Sequence, residues 1–549
     1  MEKELQGDIG IRHTWKSQYY DFSTPISQIE CTCFNTPGAK LILPLLEEDR
    51  LPNVMVWNNC ARTLFACVKR QCMEVPLPEP KAIGEFITYA REIINEELGP
   101  HLSDFDYSYS QWYNHLSYKN QIKMDFEYDH EQAAKASTYG FFCKREVQLT
   151  ESQLWSIELQ DVELPKSRAI AGPSDQDKYI MGPVTWALES VFTENLFGYC
   201  GNKNWEELEA QLCEYAKEGY LFTIQGDGSG WDRTQSHELK EIDRIIYELI
   251  KQTIHHVDPE DFIMKSTTEY RKLQGNIFSN GLMKLITAYV SATTFSGSTD
   301  TTLMNTTRLA LVIRYIMHKA GIDDYKLFVK GDDFLILTKS DYRSIVEPFF
   351  WELFSRKGAN LNKPYGLGLI LKFLTFGDLE DIDFCSTNVI YNPTTGRVKI
   401  VRQLPRIKQL TPWSRKALAY SNQELKHYIR EQGIAMKSWA HDMPFYGQYA
   451  DYLIWYAGDD VKDINITGKA RRTKPWDGHK LRTMRDITHT KYGRDHDYGV
   501  LLRTSKNTID QESVYRFIWE KYKMSKNDIE SYFERLRAIG RFGSPLSIV

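Results

Sequence analysis

No run of about 18 apolar residues occurs in the chain, so no membrane-spanning helix is expected. Paired cysteines are missing as well. The nine present (Cys31, Cys33, Cys60, Cys67, Cys72, Cys143, Cys200, Cys213 and Cys385) are odd in number, scattered and form no C-x-x-C, which predicts reduced thiols rather than a disulfide framework. Cys31 and Cys33 could share a metal with a distant histidine, although structural zinc sites repeat their ligand pairs at tighter spacing. There is no internal repeat and no low-complexity tract. The opening residues, MEKELQGDIGIRHTW, carry charge where a signal peptide would carry an apolar core. A strong excess of positive charge is also lacking. Lysine and arginine total 68 against 73 acidic residues, for a net charge of −5 and a pI of about 6.3. A protein that simply coats a polyanion is thereby excluded, and any contact with phosphates must be local.

Core material is plentiful. Hydrophobic residues make up 42% of the 549, enough for several packed units of ~100–200 residues each. The proline-rich EVPLPEPKAIG precedes a predicted helix, KAIGEFITYAREIINEELGP, that should stop at Gly99-Pro100. Residues 105 to 127 are crowded with aromatics, Trp112 among them, and read as core and packing surface. From residue 221, YLFTIQGDGSGWDRTQ reads as a strand entering a glycine-rich turn, and SHELKEIDRIIYELIK places Leu239, Ile242, Ile245, Ile246 and Leu249 at helical spacing. After the apolar stretch GLMKLITAYVSATTF and the polar loop SGSTDTT, a second helix, LMNTTRLALVIRYIMHKAG, should be capped at Gly321. Two short strands then flank Gly331-Asp332-Asp333 as a hairpin. Strand, helix, helix, hairpin in that order predicts an α+β fold, with helices packed on one face of a small antiparallel sheet. Further on, MPFYGQYADYLIWYAG puts Phe445, Tyr449, Tyr452 and Tyr456 on one helical face. Residues 469 to 494 are basic, either a phosphate-binding stretch or a solvated face.

Gly-Asp-Asp occurs twice, at 331 to 333 and at 458 to 460, and the tripeptide alone is weak evidence. At a hairpin tip, two neighbouring carboxylates are open to solvent yet anchored by strands, a setting that suits a hard divalent cation. The second copy follows a helix-like aromatic run and has no second strand to lock it, so Asp459 and Asp460 read as a helix end and a solvated loop. Two-metal phosphoryl transfer needs a further carboxylate from a neighbouring strand end. Asp227, emerging from LFTIQG, is the candidate. Asp232 follows about where a helix begins, within reach of a sugar hydroxyl. Singly, each also suits turn and helix-cap chemistry. The segment SGSTDTTLMN adds Ser296, Gly297, Thr301 and Asn305. Small and hydroxylated residues there leave room for a sugar, and Thr301 and Asn305 share one helical face.

Asp227-x4-Asp232, Ser296-Gly297-x3-Thr301-x3-Asn305 and Gly331-Asp332-Asp333 resemble motifs A, B and C of viral RNA-dependent RNA polymerases, in the usual order. Together with WNNCARTLFACVKR near residue 60, their wording is most similar to enzymes of small positive-strand RNA viruses, tombusvirus-like and flavivirus-like. The resemblance implies a right-hand architecture with an antiparallel palm sheet packed against helices. An N-terminal extension and fingers would occupy 1–220, palm 221–261, fingers 262–295, palm again 296–402, and thumb 403–549. It also implies template-directed nucleotide addition. Asp227, Asp332 and Asp333 would hold Mg²⁺, with Mn²⁺ able to substitute, and Asp232 and Asn305 would read the ribose 2′-OH in a pocket shaped by Ser296, Gly297 and Thr301.

FFCKREVQL and ELPKSRAIAGPSDQDKY resemble motif F, which puts Lys144, Lys166 and Arg168 on the incoming triphosphate. SRKGANLNKPYG resembles motif D, whose proton-donating lysine is assigned to Lys363 in preference to Lys357 or Lys372. LEDIDFCSTNVIY resembles motif E, a turn gripping the growing strand, with Phe384, Cys385 and Ser386 at its tip. The implied partners are template and product RNA, NTPs, and other viral replication proteins that would attach the enzyme to a membrane in the host cytoplasm. Lys330, a cation directly before the paired acids, has no explanation in the sequence. A reverse transcriptase would share such a palm, but Asp232 stands where those enzymes usually place an aromatic steric gate. An inactive RNA-binding scaffold would not need all three acids.

Overall fold

The computed structural model describes residues 19–21, 40–49, 54–55, 75–125, 128–133, 138–144, 148–149, 169–267, 270–279, 282–291, 293–356, 363–414, 420–458 and 508–543. Cys31, Cys33, Lys166, Arg168, Lys357, the pair Asp459 and Asp460, and the basic stretch 469–494 lie outside the described residues.

An edge strand, β1 (Tyr19–Asp21), precedes α1 (Pro80–Ile93), which starts on Pro80 where a missing N–H costs nothing. The chain does not stop at Gly99-Pro100 as expected. It passes through a π turn, Ile94–Leu98, into a last helical piece, Gly99–Leu102, and Pro100 is tolerated because it falls in the first turn of that piece. β2 (Thr138–Cys143) and β3 (Ala169–Gly172) follow, then α2 (Asp175–Asn195), capped by Ser174, and α3 (Trp205–Lys217), opened by a capping box of Asn204 and Glu207. Next come β4 (Phe222–Gly228), α4 (Glu241–Leu249) and a long hairpin of β5 (Tyr270–Ser279) and β6 (Leu282–Ser291). Helix α5 (Thr301–Lys319) ends at Gly321, whose φ of 66° is the left-handed cap the sequence predicts. It leads into the hairpin of β7 (Tyr325–Lys330) and β8 (Asp333–Thr338). After α6 (Arg343–Leu353) come β9 (Phe354–Arg356), β10 (Leu369–Asp378) and the hairpin of β11 (Thr387–Asn392) and β12 (Arg397–Arg402). The C-terminal helices are α7 (Asn422–Ala440), α8 (Tyr446–Ala457), α9 (Gln511–Tyr522) and α10 (Lys526–Ala538).

Ten of these twelve strands form two five-stranded sheets, and β11 pairs with β12 alone. The first runs β1-β6-β5-β2-β3. The second, central sheet runs β7-β8-β4-β10-β9 and is antiparallel except at its edge, where β9 lies parallel to β10. The α+β class is as the sequence suggested, but the central sheet is covered on both faces rather than one. Leu327, Val329, Phe334 and Ile336 point into a core shared with α1, α2, α4 and α5. Phe328, Leu335 and Leu337 point the opposite way, into a second core with Leu208 and Leu212 of α3 and Val389, Val398 and Ile400 of the β11–β12 hairpin. Such two-sided burial is what an unbroken apolar run in a strand signifies. On α4, Ile242, Ile245 and Ile246 are buried as their spacing predicts, whereas Leu249 is 37% exposed at the helix end.

Phe445, Tyr449, Tyr452 and Tyr456 do share one buried face, in a C-terminal core with residues of α7, α9 and α10. Ile42, Leu43 and Leu46 join that core, and Lys408 ties the same stretch down with an ion pair to Asp49 at 2.8 Å. No helix among the described residues is long and apolar enough to cross a membrane. Cys200, Cys213 and Cys385 are free thiols.

Gly226, in the middle of the central sheet, has no room for a side chain. An added Cβ would lie 2.7 Å from the Phe334 ring and 2.8 Å from the Phe373 carbonyl oxygen. Gly226→Ala should therefore lose ~1–3 kcal/mol of stability by overpacking. Gly84→Ala, in α1 with nothing within 4 Å, should be neutral or gain up to ~1 kcal/mol. Chemical denaturation of the two variants checks the contrast.

Candidate active site

The register between β4 and β8 places Asp333 directly across from Asp227. Asp332 occupies the intervening turn, made possible by Gly331 at φ 67°, and its carbonyl accepts the Gly228 N–H at 3.0 Å. The turn is also held from above, because the Gly331 N–H donates to Thr306 Oγ1 on α5 at 2.9 Å. Three carboxylates thus gather at one end of the central sheet, on strands that cannot move apart. Like charges set opposite each other repel. Burial, reinforced by Asp332 and then Asp227, pushes the Asp333 carboxyl up to about 7, although a hydrogen bond from the Cys385 thiol opposes the rise.

Crowded carboxylates call for a cation, and one side chain already answers. The pairing of β10 with β4 shifts between Leu371 and Phe373, and Lys372 in that irregularity reaches Asp227 Oδ2 at 2.7 Å. The sequence favoured Lys363, which the structure places at an exposed bend, and passed over Lys372. Lys330 pairs across from Asp333 in the ladder, but its ammonium donates to the Lys203 carbonyl at 3.3 Å, which explains how a cation fits beside the acids. Among the described residues, no three His, Cys, Asp or Glu side chains form a ready-made metal cage. Mg²⁺ does not require one, since it binds one or two carboxylates and completes its shell with water and substrate phosphate. The all-oxygen donor set and the raised Asp333 fit such an ion.

Beside the carboxylates lies a polar cluster. After Gly230, at φ 62°, the chain makes a short 3₁₀ turn, Trp231–Thr234, that buries Asp232. Asn305, on the second turn of α5, donates through Nδ2 to Asp232 Oδ1 at 3.1 Å. The Thr301 hydroxyl donates to the carbonyls of Phe295 and Ser298, at 2.5 and 2.9 Å, and so shapes the loop before α5. Ser296 and Gly297 are half-buried in that loop, and a Cβ at 297 would collide with the Ala171 carbonyl of β3. Asp227, Asp332, Asp333, Asp232 and Asn305 are therefore brought together by β4 and the turn after it, the β7–β8 hairpin and α5, whereas Lys144 lies half-buried just after β2. The turn after Phe384 is unusual. Cys385 and Ser386 both take positive φ, 52° and 62°, without being glycine, and Cys385 faces Asp333. Sequence reasoning missed Arg308 and Asp243, which back up Asn305.

The carboxylates, with the buried Asp232–Asn305 pair alongside, form a polar site at one end of the central sheet. Residues 201–457, slightly under half of the chain, match the family model of viral RNA-dependent RNA polymerase. The match indicates an RNA-directed RNA polymerase, a nucleotidyltransferase of viral RNA replication, and the family generally uses divalent metal ions. It contains Asp227, Asp232, the Ser296–Asn305 segment, the 331–333 hairpin and Lys363, but not Lys144, Lys166 or Arg168. No curated protein matches the chain.

In chelator, folded Asp333 keeps its proton up to about pH 7, while the unfolded chain loses it near its ordinary value of 3.8. The folded state therefore binds the extra proton across that window and loses stability as pH rises through it. Asp333→Asn should raise the melting temperature at pH 8, with a smaller gain at pH 5. Equal gains at both would contradict the raised carboxyl.

Proposed function

We propose that this enzyme replicates a viral RNA genome by template-directed, two-metal nucleotidyl transfer from NTPs. The observation that carries the reading is the β4–β8 register, which collects Asp227, Asp332 and Asp333 at one end of the central sheet. Asp227 and Asp332 would hold Mg²⁺, with Mn²⁺ able to substitute and Asp333 assisting. When bound, the ions would stabilise negative charge on the attacking 3′-oxygen and on the departing pyrophosphate. Asp232 and Asn305 meet the ribose 2′-OH, and Ser296, Gly297 and Thr301 set the shape of the pocket that admits it. Lys144, Lys166 and Arg168 neutralise the triphosphate. The primer 3′-hydroxyl gives up its proton to solvent as its oxygen bonds to the α-phosphorus, the bond to pyrophosphate breaks, and Lys363 donates a proton to that leaving group.

In this reading the central sheet, with α4, α5 and α6, is the palm of a right hand. The first sheet and residues before 221 form fingers and N-terminal extension, and residues from 403 form the thumb. The wording of the motifs favours a positive-strand virus of the tombusvirus-like or flavivirus-like groups. Other viral proteins would supply membrane attachment in the host cytoplasm. The polar Asp232–Asn305 pair supports ribonucleotides over the deoxyribonucleotides of a reverse transcriptase.

RNA synthesis on a short single-stranded template, with Mg²⁺ or Mn²⁺, tests the proposal. Asp332→Ala with Asp333→Ala should cut template-length product by at least ~10²–10³-fold, as expected when groups stabilising transition-state charge are removed. Asp459→Ala with Asp460→Ala should leave it unchanged. An active hairpin variant would sink the mechanism.

A further inference from the structure

Helix α5 carries an arginine that no part of the mechanism above uses. Arg308 lies one turn beyond Asn305 and is only 1% exposed, the largest fully buried side chain among the described residues. Its Nη1 donates to both carboxylate oxygens of Asp243 on α4, at 2.9 and 3.2 Å. Its Nη2 donates to Thr294 Oγ1 at 2.9 Å and to Asn305 Oδ1 at 2.8 Å. Asn305 Nδ2 then donates to Asp232 Oδ1, and the Thr294 backbone N–H donates to the Asp232 carbonyl at 2.7 Å. The result is a closed ring of hydrogen bonds joining α4, α5 and the turn that holds Asp232.

A buried ion pair is weak evidence for stability, because desolvating two charges offsets most of their attraction. What this one supplies is direction. A guanidinium has only donors, whereas the Asn amide has an acceptor on one side and donors on the other, and it can turn over with little steric penalty. With Arg308 beside it, Asn305 must present its oxygen to the guanidinium and its NH₂ to Asp232. The flipped amide would set an oxygen against the Asp232 carboxylate and an NH₂ against a cation, two repulsive contacts at once. Arg308 in turn is aimed by Asp243, which takes both hydrogens it can reach on the Nη1 side. A lysine could keep the charge but not this planar fork.

We propose that Arg308, aimed by Asp243, is a positioning residue that fixes the Asn305 amide and thereby sets discrimination between ribose and deoxyribose. The inference rests on the reading of Asp232 and Asn305 as the 2′-OH contacts. Arg308 acts on the sugar only through Asn305, because it is too deeply buried to meet the nucleotide itself.

The experiment measures kcat/KM for one NTP and its 2′-deoxy counterpart on the same template, for wild type, Asn305→Ala, Arg308→Lys and Asp243→Asn. Melting temperatures are recorded alongside. Asn305→Ala should collapse the ribo-to-deoxy ratio, and Arg308→Lys should lower it roughly tenfold, as the loss of one oriented hydrogen bond would. The fall should come mainly from the NTP and not from the deoxy analogue, which has no hydroxyl to lose. Asp243→Asn keeps the arginine and should shift the ratio the same way by less, which leaves the question decidable if Arg308→Lys folds poorly. A purely structural Arg308 would lower the melting temperature and slow both nucleotides equally, leaving the ratio unchanged, and that result overturns the proposal. If Asn305→Ala itself leaves the ratio unchanged, the 2′-OH reading fails and takes the inference with it. If Asn305→Ala collapses it but neither other variant moves it, only the inference fails.

Discussion

The ladder of backbone hydrogen bonds between β4 and β8 is the constraint on which the rest of the site depends. Because strand side chains alternate faces, a slip of one residue would turn every side chain of β8 to the opposite core. Val329, Phe334 and Ile336 belong to one core, and Phe328, Leu335 and Leu337 to the other, so both must be sacrificed for the register to move. That rigidity holds Asp227 and Asp333 across from each other against their own repulsion. Burial first, then the charges of Asp332 and Asp227, keep the Asp333 carboxyl raised there.

A second organiser is α5, which touches the site at three successive levels. Its preceding loop closes so tightly on β3 that Gly297 admits no side chain, binding the first sheet to the second. Its second turn brings Asn305 to Asp232 and Thr306 to the hairpin turn at Gly331. One turn further, Arg308 anchors the helix to α4 through Asp243. The helix is buried for nearly its whole length, and its polar residues find partners on neighbouring elements: Asn305 on Asp232, Thr306 on Gly331, Arg308 on Asp243 and Arg314 on Glu97.

Much of this was legible in the sequence, wherever the signal was local. The β7–β8 hairpin could be read from two apolar runs meeting at a glycine, α5 from its spacing and its terminal glycine, and the α8 aromatics from their period. Asp227 and the 331–333 acids could be singled out because each sits at the end of a recognisable strand. The features that the sequence did not reveal share a different cause. Lys372 lies where the β10–β4 pairing shifts and reaches Asp227 from an exposed position, and such a shift leaves no mark in an otherwise apolar strand. The second face of the central sheet is covered by α3 and by the β11–β12 hairpin, elements on either side of it in sequence, so no window of residues could reveal the cover. Arg308 looked like any charged helix residue, and its partner Asp243 lies on a separate helix. The π turn at Ile94–Leu98 arose where Gly-Pro reads as a stop but follows a helix already fixed by burial of Phe86, Ala90 and Ile94.

Asn305 and Thr306 are neighbours, yet one pairs with Asp232 and the other holds the turn that carries the paired acids. A rigid helix cannot shift one without the other. Any substitution that slides or tilts α5 by a fraction of an ångström will disturb the Asp232 pair and the Gly331 turn together. Under the reading proposed above, the copying error of such an enzyme is adjusted apart from its speed by changing what Asn305 meets, and not by moving the helix that bears it.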